Sequence, residues 1–302
     1  MVEIVSAPTD IWLGTGTSMQ VRTTTDSVWF TAVGSSVFGC GRGTGAAQTV
    51  TFTLTDAATG TSNIILLGQG RGAHSAVTIW PAYVPPPTPP YLLGNAVIAG
   101  ESTCSGSYTC HAENDRELIV FVSVKGMSGA APITSVTYGG NALTYVTGSE
   151  SYFSTAGGFY YKMRAYRLLE ADFPSTGAQT LTVNMAITAD RIIAHIIELG
   201  TTGQAALEDI VHSEGTGTSP YVDGLTVSTE EGAIVVCGAT DANATAWSPS
   251  NCTEGNESNT GDVLSACSGY AVDQTTGDKA PGFTANASGG WGCIGLVIPP
   301  AT

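Results

Sequence analysis

Five of the six residues 85–90 are proline, in the run Val84-Pro85-Pro86-Pro87-Thr88-Pro89-Pro90. Proline fixes φ and has no N–H to donate to a sheet, so this run predicts a stiff polyproline II rod rising about 3.1 Å per residue. A proline-rich segment can also be a ligand for SH3-type domains, but strand-like sequence on both sides favours a spacer. The chain is therefore read as residues 1–84, a linker at 85–90, and residues 91–302. At 302 residues it is long enough for more than one core of ordinary size.

Both parts read as strands. Gly is present 38 times, and only 12% of residues are charged, a composition of short strands and tight turns rather than helices. In the first part Val50, Phe52 and Leu54 alternate with Thr51, Thr53 and Thr55, the two-residue period of a half-buried sheet. In the second part Leu118, Val120, Val122 and Val124 share one face, and Leu181, Val183 and Met185 alternate with Thr180, Thr182 and Asn184. Arg191 to Leu199 is apolar more continuously, as a central strand can be. The predicted fold class is all-β: a small immunoglobulin-like sandwich before the linker and a larger jelly-roll-like sandwich after it.

Charge limits the partners. The chain carries a net charge of −15, which repels phosphate backbones, so nucleic acid is not expected. Residues 1–84 hold three arginines against four acids, whereas residues 91–302 hold seven cations against twenty-one acids. A near-neutral part can be buried against another protein at low desolvation cost, and an acidic part stays soluble and repels its copies. No run approaches the roughly 18 apolar residues of a membrane span, and Met1-Val2-Glu3-Ile4-Val5 lacks the features of a secretory signal, so neither membrane nor export is expected.

Several segments after residue 113 occur in a telling order. Ile133 to Thr144 contains Tyr138-Gly139-Gly140-Asn141, a hairpin signal because a two-residue loop needs φ > 0. Tyr160 to Leu168, Asp172-Phe173-Pro174, Gly177 to Val183, Val222 to Thr229, Gly232 to Val236 and Trp291 to Val297 follow. Over residues 113–298 this series resembles a β-sandwich domain common in virion proteins of tailed bacteriophages and in bacterial surface proteins. The resemblance implies a display module and does not extend to residues 1–90. Fold alone does not give function.

Chemistry is sparse. His74, His111, His195 and His212 are scattered without metal-site spacing, and no catalytic residues, cofactor or metal are expected. His111 with Glu113 and Asp115 forms the one cluster of ligand-like residues, read as a solvated loop. His195 lies in an apolar run and reads as a core histidine. The glycine-rich stretches at 39–45 and 68–72 precede strands rather than helices, so they are not phosphate cradles. The seven cysteines lack Cys-x-x-Cys pairs. Cys104 and Cys110 flank a short polar segment, Cys252 and Cys267 bracket another, and Cys237 and Cys293 lie in apolar runs, giving three candidate disulfides; small buried thiols are the alternative.

The candidate binding face is the strand Tyr160 to Arg167, where alternation places Tyr160, Lys162, Arg164 and Tyr166 together. Tyr and Arg are enriched in protein contacts, although the polar outer face of an ordinary strand would look the same. Taken together, the expectation is a non-enzymatic structural protein on the outer surface of a virion, of head-decoration or head-fibre type. Its partners would be the major capsid protein or another virion protein, copies of itself on the particle, and a host-surface glycan. A tail or baseplate accessory protein or a glycan-binding adhesin are the alternatives, with an esterase or glycosidase further behind.

Overall fold

The computed structural model describes residues 88–301 except 127–132, 175–176, 205, 229–231, 244–245 and 260–263, and before residue 88 chiefly the backbone of eight strands. The chain divides into two compact units, Met1–Pro85 and Pro86–Thr302. Of the proline-rich run, residues 85–87 lie outside the described residues. Pro90 is buried within the second unit, and the Pro89 carbonyl accepts a hydrogen bond from Thr201 Oγ1 at 2.8 Å.

The first unit runs β1 (Val2–Ser6), β2 (Asp10–Trp12), β3 (Gly16–Thr23), β4 (Val28–Val33), β5 (Ser36–Arg42), β6 (Gln48–Thr53), β7 (Gly60–Gly68) and β8 (Arg71–Trp80). Its sheets have the orders β1-β3-β6 and β2-β8-β7-β4-β5. Only β2 with β8 is parallel among the pairs described there. Two sheets in this order are those of an immunoglobulin-like sandwich, as the sequence predicts.

The second unit begins β9 (Tyr91–Gly100), β10 (Cys104–Thr109), β11 (Glu117–Gly126), β12 (Ile133–Tyr138), β13 (Asn141–Ala142), β14 (Thr144–Ser154), β15 (Tyr160–Leu169), β16 (Ala178–Met185) and β17 (Arg191–Gly200). It continues β18 (Asp209–Gly217), β19 (Leu225–Val227), β20 (Ala233–Asp241), β21 (Trp247–Ser250), β22 (Thr253–Asn259), β23 (Ser265–Gln274), β24 (Gly277–Lys279), β25 (Gly282–Ala285) and β26 (Gly289–Ile298). Among the described residues a single 3-10 turn, Glu170–Asp172, interrupts the strands. The predicted hairpin is present: Tyr138 pairs with Asn141, and Gly139 and Gly140 take φ of 59° and 89°.

Where the sequence suggests one large sandwich, the second unit holds two. In the first, the sheet β14-β15-β11-β17-β9 faces β10-β16-β12-β13. In the second, the sheet β22-β23-β20-β26-β18 faces the short pairs β19-β24 and β21-β25. Position for position, the two five-stranded sheets have the same order and direction of connection, so one jelly-roll-like scaffold occurs twice.

The two five-stranded sheets lie back to back. From one side come Ile119, Phe121, Met163, Ala165, Ile197 and Leu199, and from the other Ile234, Val236, Ile294, Leu296 and Ile298. The contact has approximate two-fold character, because β14 lies on β18 and β26 while their counterparts β22, β9 and β17 meet in the same way. At one edge the Tyr152 N–H donates to Glu214 at 2.6 Å, and at the other the Asn256 amide donates to Asn95. Gly238 permits the close approach: a Cβ there would lie 2.5 Å from Met163 Cε and 2.8 Å from Phe121 Cγ.

Each five-stranded sheet is thus covered on both faces. Leu118, Val120, Val122 and Val124 face Val136, Tyr138, Leu181 and Val183 in an outer core, while Ile119 and Phe121 face the second sandwich. The second sandwich has its own outer core around Val235, Cys237, Trp247, Phe283 and Trp291. Burying each large aliphatic or aromatic side chain contributes roughly 1.5–3 kcal/mol.

Two titratable groups are caught in this layer. Glu117 is wholly buried, and burial pushes its carboxyl up to about 7 against the pull of Arg167, whose Nε is 2.8 Å away. A raised carboxyl favours the protonated fold, so this contribution is full below about pH 4.5 and falls as pH rises to about 7. Burial holds His195 down at about 3. That depressed value favours the neutral ring, so its contribution is full above about pH 6.5 and is lost as pH falls toward 3. His195→Leu should therefore gain about 3 kcal/mol over the wild type on going from pH 8 to pH 4 in urea unfolding. A difference between the two proteins that does not change with pH would exclude His195 as the source.

Candidate functional site

β15 is flanked by β14 and β11, and its alternate residues point to opposite cores. Tyr161, Met163 and Ala165 face the second sandwich, which leaves Tyr160, Lys162, Arg164 and Tyr166 on the other side. The structure therefore brings the four predicted face residues together. Register adds three more from β14: Tyr152 opposite Lys162, Glu150 opposite Arg164, and Tyr145 opposite Tyr166. A register shift between Tyr145 and Glu150, containing Gly148 at φ 90°, resets the strand so that these side chains share a face.

The face is largely paired within itself. Glu150 forms ion pairs with Lys162, at 3.3 Å, and with Arg164. Partial burial pushes the Glu150 carboxyl up, but the hydrogen bonds and charges of Arg164 and Lys162 outweigh it and hold the group below its usual range. The Arg164 guanidinium lies 5.1 Å from the Tyr145 ring centroid, and the Lys162 ammonium 5.8 Å from that of Tyr152. Tyr152 stacks on Tyr160 at 5.8 Å with 18° between planes. Lys162 and Tyr166 are buried, whereas Tyr145, Tyr152, Tyr160 and Arg164 remain half-exposed. Such a strip offers aromatic surface and fixed polar edges to a partner, and little unneutralised positive charge.

His111 has a different partner from the one its sequence neighbours suggest. Glu113 and Asp115 are exposed, and the imidazole Nδ1 lies 2.9 Å from Oε2 of Glu198 in β17. The His111 N–H donates to Glu198 Oε1 at 2.7 Å, and the Tyr108 hydroxyl donates to Oε2 at 2.9 Å. Glu198 is 0% exposed, whereas the His111 side chain is 53% exposed. Arg116 continues the network, donating to the His111 carbonyl and to both oxygens of Glu170 while its guanidinium lies 4.5 Å from the Phe173 ring centroid. Glu198 was hidden in an apolar run, yet a carboxylate there is a signal, since a buried charge must be paired.

The arrangement orients an imidazole but supplies it with no activated nucleophile among the described residues. Burial pushes the neighbouring Cys110 thiol up to about 12, so it stays protonated near neutral pH. His212 Nδ1 lies 3.0 Å from the Gly148 carbonyl, away from this network. Among the described residues no group of three His, Cys, Asp or Glu side chains is placed to hold a metal ion.

The six described cysteines are free thiols. The suggested Cys104–Cys110 bridge is corrected by β10, which is extended from Cys104 to Thr109 and paired with β16 throughout. Its ends stand about 17 Å apart, far beyond the roughly 4.4–6.8 Å between Cα atoms that a disulfide spans. The segment is short and polar because Ser105, Gly106 and Ser107 are small, yet it is extended.

Cys237, Cys252, Cys267 and Cys293 gather in the outer core of the second sandwich. Ala239 is paired with Cys267 on one side and Cys293 on the other, and Cys237 is paired with Gly269 and Gly295. Cys252 Sγ comes within 3.0 Å of where a Gly269 Cβ would stand, beside Cys237. A hydrogen bond between the two thiols, and then burial, push Cys237 well up, while the same hydrogen bond draws Cys252 down against the effect of burial. Cys237 and Cys252 are therefore the close pair, in place of the suggested Cys252–Cys267 and Cys237–Cys293.

Two outcomes follow. Glu198→Ala strands Tyr108 and the His111 N–H and should cost about 2–4 kcal/mol in urea unfolding; a loss below about 0.5 kcal/mol would mean that the network is not structural. Limited oxidation with diamide, followed by non-reducing peptide mapping, should link Cys237 to Cys252 and never Cys104 to Cys110. Recovery of a Cys104–Cys110 peptide would contradict the extended β10.

In comparisons with known proteins, the chain matches no family model and no curated protein sequence. Its function must be read from the residues themselves.

Proposed function

We propose that this chain is a non-enzymatic structural protein of a tailed-bacteriophage particle, of head-decoration or head-fibre type. Met1–Pro85 docks on the capsid or another virion protein, and Pro86–Thr302 projects outward as a stiff double sandwich. The observation that carries this reading is the division into two compact units of unequal charge. Three arginines against four acids lie before the linker, and seven cations against twenty-one acids after it. Burying the first unit strands few charges, while the second is costly to desolvate and repels its neighbours on a crowded surface.

The resemblance of residues 113–298 to virion and surface sandwiches supports the same assignment. A role without catalysis agrees with the His111 network, whose carboxylate is already committed to Tyr108 and the loop backbone. A second reading, a glycan-binding adhesin, draws on the half-exposed Tyr145, Tyr152 and Tyr160 beside Arg164.

Electron microscopy of particles from the source phage, with and without this chain, gives the direct test. Full-length protein should restore surface density and co-sediment with depleted particles, and a fragment lacking residues 1–85 should stay in the supernatant while keeping its β-sheet circular dichroism. A folded 86–302 fragment that still binds particles would reverse the assigned polarity. Failure of the full chain to bind any particle would remove the virion assignment.

A further inference from the structure

We propose that the cavity at the Lys125–Arg191 end of the first sandwich binds a singly charged, hydroxyl-rich carboxylate, an acidic monosaccharide of the hexuronic type. The cavity measures about 490 Å³, within the range of small-molecule sites. It is separate from the tyrosine face and from the His111 network, and its test does not depend on whether the protein is carried on a particle.

Lys125 and Arg191 are directly opposed on β11 and β17. Like charges in that position destabilise a sheet unless something neutralises them. Arg191 has a partner, with Nη1 2.7 Å from Glu101 Oε1. Lys125 does not: it is 6% exposed, and among the described residues no carboxylate lies within 4.0 Å of its ammonium. Its near neighbour is the Phe159 ring, whose centroid is 3.9 Å from Nζ. The next residues along the chain, 127–132, carry no charged side chain. Burial pushes Lys125 down, Asp190 pulls it back up and Arg191 opposes that pull. A cation held in this way, with a ring beneath it, a second cation opposite and no carboxylate in direct contact among the described residues, has room to take a carboxylate from a ligand.

The rest of the lining narrows the chemistry. Asp190 and Glu101 also line the cavity, so a dianion such as phosphate would meet two carboxylates beside its two cations. A single carboxylate meets Lys125 and Arg191 with less repulsion. Hydroxyl groups on the same ligand can donate to Asp190 and Glu101 and exchange hydrogen bonds with Ser102 and Thr188, the remaining polar side chains of the wall. One carboxylate joined to several hydroxyls is the functional-group pattern of a uronic acid.

The test uses the full chain in isothermal titration calorimetry against D-glucuronate, D-galacturonate, the methyl ester of glucuronate, D-glucose and inorganic phosphate. At least one uronate should bind, and the methyl ester and glucose should bind at least about tenfold more weakly, a loss of about 1.4 kcal/mol. Lys125→Met should weaken uronate binding by at least about tenfold while leaving thermal unfolding unchanged or slightly raised, since it removes an opposed like charge. If that variant does not fold, the wild type still decides: reductive methylation read by mass spectrometry should be slowed at Lys125 by uronate and not by glucose. Absence of binding by both uronates, equal binding of ester and acid, or tighter binding of phosphate would each overturn the proposal.

Discussion

The contact between the two five-stranded sheets is what the second unit depends on. Its centre is made of aliphatic, aromatic and thioether side chains, closed tightly because position 238 carries no side chain. Each sheet would otherwise expose a continuous apolar face, far more than a soluble domain usually tolerates. Neither sandwich is complete alone in this sense. The two are better regarded as halves of one fold, with an approximate two-fold axis running through a single chain.

That dependence explains why buried ionisable groups sit in the same layer. Glu117 and His195 are both on β-strands whose neighbours are apolar, and burial moves them in opposite directions from their usual ranges. One disfavours the fold as pH rises and the other as pH falls, so the shared layer is the pH-sensitive part of an otherwise apolar stack. The exposed carboxylates, numerous as they are, sit where water screens them and have less influence on the fold.

Strand character was readable because alternation acts locally. The Tyr138–Asn141 hairpin was readable for the same reason, since two successive positive φ values call for glycine. The doubling of the second sandwich was not. Leu118 to Val122 has no polar residue between its apolar ones, and one-sided burial requires such alternation. The apolar runs at 118–122 and 233–237, and that at 192–197 broken by His195 alone, were the available sign that both faces are covered. The four residues of the tyrosine strand were legible by period alone, but Tyr145, Glu150 and Tyr152 join them only through a register shift that no pattern announces. Glu198 and the close Cys237–Cys252 pair depend on contacts between distant segments, which lie beyond any local period.

A repeated scaffold invites comparison of what its two copies carry. Residues 91–200 contain six cations and nine acids, whereas residues 201–302 contain Lys279 against twelve acids. All the arginines of the second unit, its tyrosine face and its Lys125 cavity belong to the first sandwich, while the second concentrates thiols in its core and carboxylates elsewhere. Both copies share the same strand order, so the difference lies in the side chains and not in the topology. The first sandwich therefore carries the aromatic strip and all but one of the cations of the second unit, and the second sandwich most of its negative charge. A binding surface on the first sandwich would then work within a field set largely by the second, which disfavours polyanions and admits ligands of single charge.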